Sequence, residues 1–110
     1  MLLVLFSLAA GVGLGLVLQP TVPGFVAPYL PMAVMAALDS VFGGLRARLE
    51  GVFSERVFVV SFLTNSVLAG VLVGVGERLG VDDLSIAVVV VFGVRIFGNL
   101  AAIRRHLFHA

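Results

Sequence analysis

From Val57 to Val75 the chain runs without a charged side chain, and it does so again from Leu2 to Leu18. A segment of this kind cannot rely on water to satisfy its backbone N–H and C=O groups. In hydrocarbon, only a helix or a closed barrel satisfies them internally. As helices rising 1.5 Å per residue, such runs reach roughly 25–30 Å, close to the thickness of a bilayer's apolar core. Two further apolar runs, 25–45 and 84–103, each hold one charge, Asp39 and Arg95 respectively. The pattern predicts an all-α membrane protein with four transmembrane helices, over 2–18, 25–45, 57–75 and 84–103, in a single domain covering 1–110.

Composition points the same way. Apolar residues make up 61% of the chain and charged residues 12%, where a soluble domain would carry about a quarter charged. Polar side chains are too few to cover a surface in water. The net charge of +1 and the lack of a basic stripe interleaved with aromatics exclude nucleic acid as a partner. Without cysteine or lysine there is no disulfide, thiolate metal site, cysteine nucleophile or Schiff-base chemistry. No serine, histidine and carboxylate grouping suggests catalysis, so neither an enzyme nor a cofactor is expected. The first residues lack the cationic start of a signal peptide, so Leu2–Leu18 is read as a retained span.

The segments between the runs are informative. Gln19-Pro20-Thr21-Val22-Pro23-Gly24 ends the first helix, because proline lacks an N–H and restricts its predecessor. Pro28 and Pro31 fall near the start of the second helix, where N–H groups have no intrahelical partner. The regular helix is therefore expected from about Pro31, with Phe25–Leu30 in the membrane interface. Between Arg46 and Glu55, Leu45, Leu49, Val52 and Phe53 form one helical stripe while Arg46, Arg48 and Glu50 lie off it. That suits a short amphipathic turn on the membrane surface, with Ser54 as N-cap of the third helix. Asp82 or Asp83 is placed to cap the fourth helix.

Arg46, Arg48 and Arg56 share one side of a four-span layout with Arg104 and Arg105, while the loop around Glu77, Asp82 and Asp83 is net acidic. The positive-inside rule then puts both termini in the cytoplasm. A three-span layout with a re-entrant second segment would split the basic regions between the two sides, so four spans are preferred. The cytoplasmic face would present Arg46, Arg48, Glu50, Arg104 and Arg105 to partners or to anionic lipid headgroups, which attract each cation by about 1 kcal/mol.

The chain also aligns with itself at an offset of half its length. Phe42-Gly43-x-Leu45-x-Ala47 meets Phe97-Gly98-x-Leu100-x-Ala102, and Gly15 meets Gly70. Eleven positions match without a gap, against about six expected from composition. Two tandem helical hairpins, 1–55 and 56–110, would be parallel repeats about an axis along the membrane normal. Glycines recur every fourth residue at Gly11/Gly15 and Gly70/Gly74. With Gly43, Gly44 and Gly98 they offer small faces for helix packing, within one chain or in a homo-oligomer. Gly11, Gly13 and Gly15 superficially suggest a nucleotide loop, but they lie inside an apolar span with no strand before them.

In the repeat alignment Ser40 is opposite Arg95, which places Asp39 and Arg95 at similar depth. A charge at the bilayer centre costs roughly 2.5–3.5 kcal/mol, and pairing offsets much of that. Asn65 and Asn99 are further partners, Asn99 sharing a helix face with Arg95 at i,i+4. Three readings stand at this point: an ion pair fixing helix register, Arg95 snorkelling to the headgroups, or a proton or ion pathway. His106 and His109 lie at i,i+3 but have no third ligand, so no metal site is expected.

These residues also carry a resemblance. Ala37-Leu38-Asp39-Ser40-Val41-Phe42-Gly43-Gly44-Leu45-Arg46-Ala47-Arg48-Leu49-Glu50-Gly51 is similar to the signature of the bacterial small basic protein family. Val91-Phe92-Gly93-Val94-Arg95-Ile96-Phe97, with Asn99 and Ile103-Arg104-Arg105, resembles its C-terminal signature. The resemblance covers nearly the whole chain, although a pI near 8.5 is only mildly basic. It implies a multi-span plasma-membrane protein encoded among cell-division and envelope genes, and brings no established activity. The expected function is an interaction or scaffold module, with an oligomeric channel or transporter using Asp39 and Arg95 as the alternative.

Overall fold

A computed structural model describes residues 2–18, 21–81 and 83–109. The described residues are helical throughout apart from short connections. Helix α1 is Leu2–Leu18, a 3-10 turn at Ala27–Tyr29 leads into α2 at Leu30–Leu49, α3 is Glu55–Leu79 and α4 is Asp83–Phe108. Pro31 sits at the start of α2, where its missing N–H leaves no intrahelical bond unmade. Ser54 is extended and its Oγ accepts from the Val57 N–H at 3.4 Å, so the expected N-cap is present. The expected turn at Gln19-Pro20 and the Asp82 cap lie outside the described residues.

The helices overrun the apolar runs that announced them. Helix α2 continues past Leu45 to Leu49 and α3 past Val75 to Leu79, so Arg46–Leu49 extends α2 instead of forming a separate amphipathic turn. Both helices stop in the same way. Gly51 and Gly80 adopt left-handed φ values of 76° and 71°. The N–H of Val52 then donates to Ala47 C=O at 2.9 Å, and that of Val81 to Gly76 C=O at 2.8 Å. Each is a Schellman turn, which glycine enters without the Cβ clash met by other L-residues.

Helix α2 is the centre of the bundle. It packs most extensively on α4 and next on α3, and α3 packs on α4. The core joins Met32 and Ala36 of α2, Ala69 and Val73 of α3, and Val88 and Phe92 of α4, with Tyr29 and Met35 against it. Small residues permit the close approach: a Cβ on Gly70 would lie 3.7 Å from Met32 Cε, and one on Gly74 2.9 Å from the Tyr29 hydroxyl. A Cβ on Gly44 would meet the Phe58 ring at 3.1 Å. Gly11, Gly15 and Gly98 have nothing within 4 Å, so the packing expected of them is not made within the chain.

Helix α1 stands apart, with none of its residues buried. Only its first half, through Leu3, Val4, Ser7 and Leu8, faces Ala37, Val41, Phe58 and Phe62 across an open gap. The hairpin α3–α4 is packed, whereas α1 does not lie along α2 in the same way, so the two halves are not alike. The helices that the repeat alignment equates, α2 and α4, nevertheless share the largest interface.

The remaining surface is apolar. Val67 is 65% and Phe97 74% exposed, and many other valines, leucines and phenylalanines accompany them. A continuous surface of this kind far exceeds what a protein shows to water. Ala27–Leu49, Glu55–Leu79 and Asp83–Phe108 are long and apolar enough to cross a membrane, and α1 is a shorter apolar helix. A membrane location is consistent with these helices.

The closest backbone approach lies beneath the α3–α4 connection, where a Cβ on Gly76 would come within 2.7 Å of Val81 C=O. Gly76→Ala is expected to cost about 1–3 kcal/mol, measured as lowered thermal stability in mild detergent. Gly98→Ala has open space around it and gains helix propensity, so it should be neutral or stabilising by up to about 1 kcal/mol.

Candidate functional site: a polar seam between α2 and α4

Asp39, Gly43, Arg46 and Glu50 recur at intervals of three and four residues, which places them on one face of α2. Arg95, Asn99 and His106 mark a face of α4 in the same manner. Both helices run towards the end of the bundle that holds Arg48, Arg56, Arg104 and Arg105. The two polar faces therefore meet as a seam between helices that are otherwise apolar.

The deepest rung is ionic. Arg95 Nε lies 3.3 Å from Asp39 Oδ1. Asp39 is 3% exposed, while the Arg95 side chain is half exposed. Despite this proximity, Asp39 Oδ1 receives no aligned hydrogen bond, so the contact is one of charge more than of hydrogen-bond geometry. The next rung lies beside position 43, where a Cβ would be in ordinary contact, 3.5 Å from Asn99 Nδ2. Asn99 Oδ1 then accepts from Arg46 Nη1 at 3.3 Å. At the outer rung Arg46 Nε donates to Glu50 Oε1 at 3.0 Å. An ion pair stands at each end of the seam with Asn99 between the two arginines, and the carboxylate is buried in the inner pair but nearly half exposed in the outer one. The inner ion pair gains most from reduced screening, while the outer pair, nearly half exposed on both partners, is worth about 0.3–0.5 kcal/mol.

Asn65 reaches the seam from α3. It shares a crevice of about 200 Å³ with Asp39 and Arg95, together with Ser40, Ser61 and Phe58. It also lines a second cavity of about 190 Å³ between α3 and α4, where Leu68, Leu72, Val91 and Arg95 form walls. Near the end of the seam, Arg46 and Glu50 border an open cleft with Arg105, His106 and His109. Among the described residues, no three His, Cys, Asp or Glu side chains are gathered as metal ligands.

The structure thus brings Asp39 to Arg95 and Arg46 to Asn99, with Asn65 at the edge of the same crevice. It separates the expected headgroup-facing cations. Arg46 is half-buried, with its guanidinium donating to Asn99 on one side and Glu50 on the other. Arg48, Arg104 and Arg105 are exposed. The Arg46–Asn99 rung is not visible in the apolar pattern, because the run that marks α2 ends at Leu45 and leaves Arg46 outside it. Its spacing of seven residues from Asp39, two helical turns on the same face, was the available signal.

The family whose profile matches residues 22–108 is described as "Protein of unknown function (DUF1290)". An uncharacterized protein of Mycobacterium tuberculosis is 59% identical over 105 residues, covering 94% of this chain and 87% of the relative. A Bacillus subtilis relative named "Small basic protein" is 46% identical over 107 residues, covering 97% of this chain and 88% of its own length. No solved structure matches significantly. With its profile match over α2, α3 and α4 and a small basic protein among its relatives, the chain belongs to the DUF1290 family.

Proposed function

We propose that the chain is a multi-pass protein of the bacterial plasma membrane that works as an interaction or scaffold module in cell division or envelope assembly. It acts without enzymatic activity, cofactor or nucleic acid. The observation that carries this reading is α1, an apolar helix with no buried residue. In a bilayer such a helix is free to pack against another membrane segment, from a second copy or from a partner protein, through close van der Waals contact. The cellular neighbourhood rests on the resemblance carried by the Ala37–Gly51 and Val91–Arg105 segments.

Orientation follows from charge. The end of α2, the start of α3 and the end of α4 hold Arg48, Arg56, Arg104 and Arg105, whereas Glu77, Arg78 and Asp83 lie at the opposite end. The arginine-rich end is cytoplasmic by the positive-inside rule. With α1 as a fourth crossing, both termini lie on that side and the two halves retain the order of tandem hairpins. Arg48, Arg104 and Arg105 then face anionic headgroups or a cytoplasmic partner.

A transport reading draws on one specific feature, the intramembrane Asp39–Arg95 pair beside an open crevice. Four short helices do not enclose a pore alone, so transport would require an oligomer.

The two readings separate experimentally. Photo-crosslinkers placed in α1 at Gly11 and Gly15, in living cells, are expected to give adducts with a second copy or with division or envelope proteins. Replacing Arg48, Arg104 and Arg105 together by Ala should reduce cytoplasmic-side adducts without loss of folded protein. Ion or solute flux into proteoliposomes, abolished by Asp39→Asn, with no adducts from α1, would instead establish transport and overturn the module.

A further inference from the structure

The crevice between α2 and α3 has a composition at odds with its depth. It begins at the α2–α3 connection, with Ser54 and Phe53 at its mouth, and ends at Asn65, Asp39 and Arg95. From Ser54 to Asn65 along α3 is about 16 Å at 1.5 Å per residue, roughly half of a 30 Å hydrocarbon core. Along that length Ser61 and Ser40 supply hydroxyls. Glycines 43 and 44 hold the gap open from the α2 side, and a side chain at position 44 would run into Phe58.

We propose that this crevice is a water-filled inlet, open to solution at the arginine-rich end and closed at the Asp39–Arg95 pair. The inference rests on the membrane reading above and adds a one-sided solvent path within it. Three observations converge on it. The volume of about 200 Å³ would hold about six waters at 30 Å³ each. At its inner end Asp39 lines the crevice while only 3% exposed, and its Oδ1 receives no hydrogen bond from the protein. A buried ionised carboxylate requires donors, and without them its desolvation costs several kcal/mol even opposite an arginine. Water held by the serine hydroxyls and the Asn65 amide supplies those donors after a small turn of the Asp39 carboxylate towards the crevice, since Oδ1 as it stands is closed off from it. The half-exposed Arg95 side chain is solvated by the same water instead of being left in lipid.

The inlet ends where polarity ends. Beyond Asn65 and Arg95 the next groove is walled by Leu68, Leu72, Leu84 and Val91 and opens onto the apolar outer surface, so that in a bilayer it takes acyl chains in place of water. Asp39 and Arg95 therefore meet water and small ions from one side of the membrane alone. This makes the pair a dead-end site that responds to the cytoplasmic solution without passing a current.

The chain has no cysteine, so single-cysteine variants report position without background. Thiol reagents act on the thiolate, which forms in water and not in hydrocarbon. Sealed inside-out vesicles would be treated with a charged, membrane-impermeant maleimide. Ser61→Cys and Ser40→Cys are expected to react within about tenfold of the rate of Glu55→Cys at the surface, because both are water-exposed thiols. Leu72→Cys in the apolar cavity, and Val67→Cys and Val94→Cys on the outer surface, should remain unmodified. If Glu55→Cys reacts while Ser61→Cys and Ser40→Cys do not, or if these two react only with a lipid-soluble maleimide, the inlet is overturned while the membrane reading stands. Reaction of Val67→Cys and Val94→Cys as fast as Glu55→Cys would overturn the membrane reading itself. The serine-to-cysteine changes are nearly isosteric, and elution of each variant as a folded species in detergent excludes misfolding as a cause.

Discussion

A carboxylate buried in the middle of an apolar helix fixes where the other helices must go. Asp39 lies on α2, the helix that packs against both α3 and α4, and it is more buried than most of the leucines around it. Removing a carboxylate from water is costly, and an oppositely charged neighbour recovers enough only at close range. That requirement brings α4 to α2 in the register where Arg95 stands opposite position 39. With the register set, Asn99 falls beside Gly43 and meets Arg46, and Arg46 meets Glu50. One charge deep in the apolar run thus organises the polar contacts towards the end of the bundle.

The rest of the packing is modest. Six side chains form the principal core, and the small residues at 36, 69, 70 and 74 let the backbones approach without large interlocking groups. Hydrophobic burial alone would be a weak glue here, since lipid tails solvate valine and leucine as well as protein does. Specificity therefore falls to shape and to the polar seam. Helix α1, with no buried residue and only the Ser7 hydroxyl facing the bundle across an open gap, has little of either. Its detachment from the core follows from the same physics that draws α2 and α4 together.

Much of this was legible in the chain. The charge-free runs located the helices, since length and hydropathy alone decide whether a segment can reside in lipid. They did not locate the helix ends. Polar residues at Arg46–Leu49 mark where an apolar environment stops, but a helix continues into water until something breaks it. At Gly51 and Gly80 a left-handed glycine does so. The half-chain offset placed Asp39 near Arg95, although the two halves are not packed alike. The four-residue glycine spacing read equally well at Gly11/Gly15 and Gly70/Gly74, yet only the second pair meets a neighbour. Such a pattern describes one surface and cannot say what lies against it. The tight approach at Gly76 was hidden for a related reason, because its neighbour Val81 is delivered by the turn that follows.

The central claim is that residues 39 and 95 are energetically coupled, and a double-mutant cycle in mild detergent or bicelles measures this directly. Unfolding free energies would be compared for Asp39→Asn, Arg95→Gln and the double variant. Arg95→Gln leaves a buried carboxylate without its counter-charge, so it should be the most damaging, and adding Asp39→Asn should restore stability. The account predicts a coupling of at least about 1 kcal/mol. Effects that add within about 0.5 kcal/mol, with the double variant less stable than either single one, would contradict it.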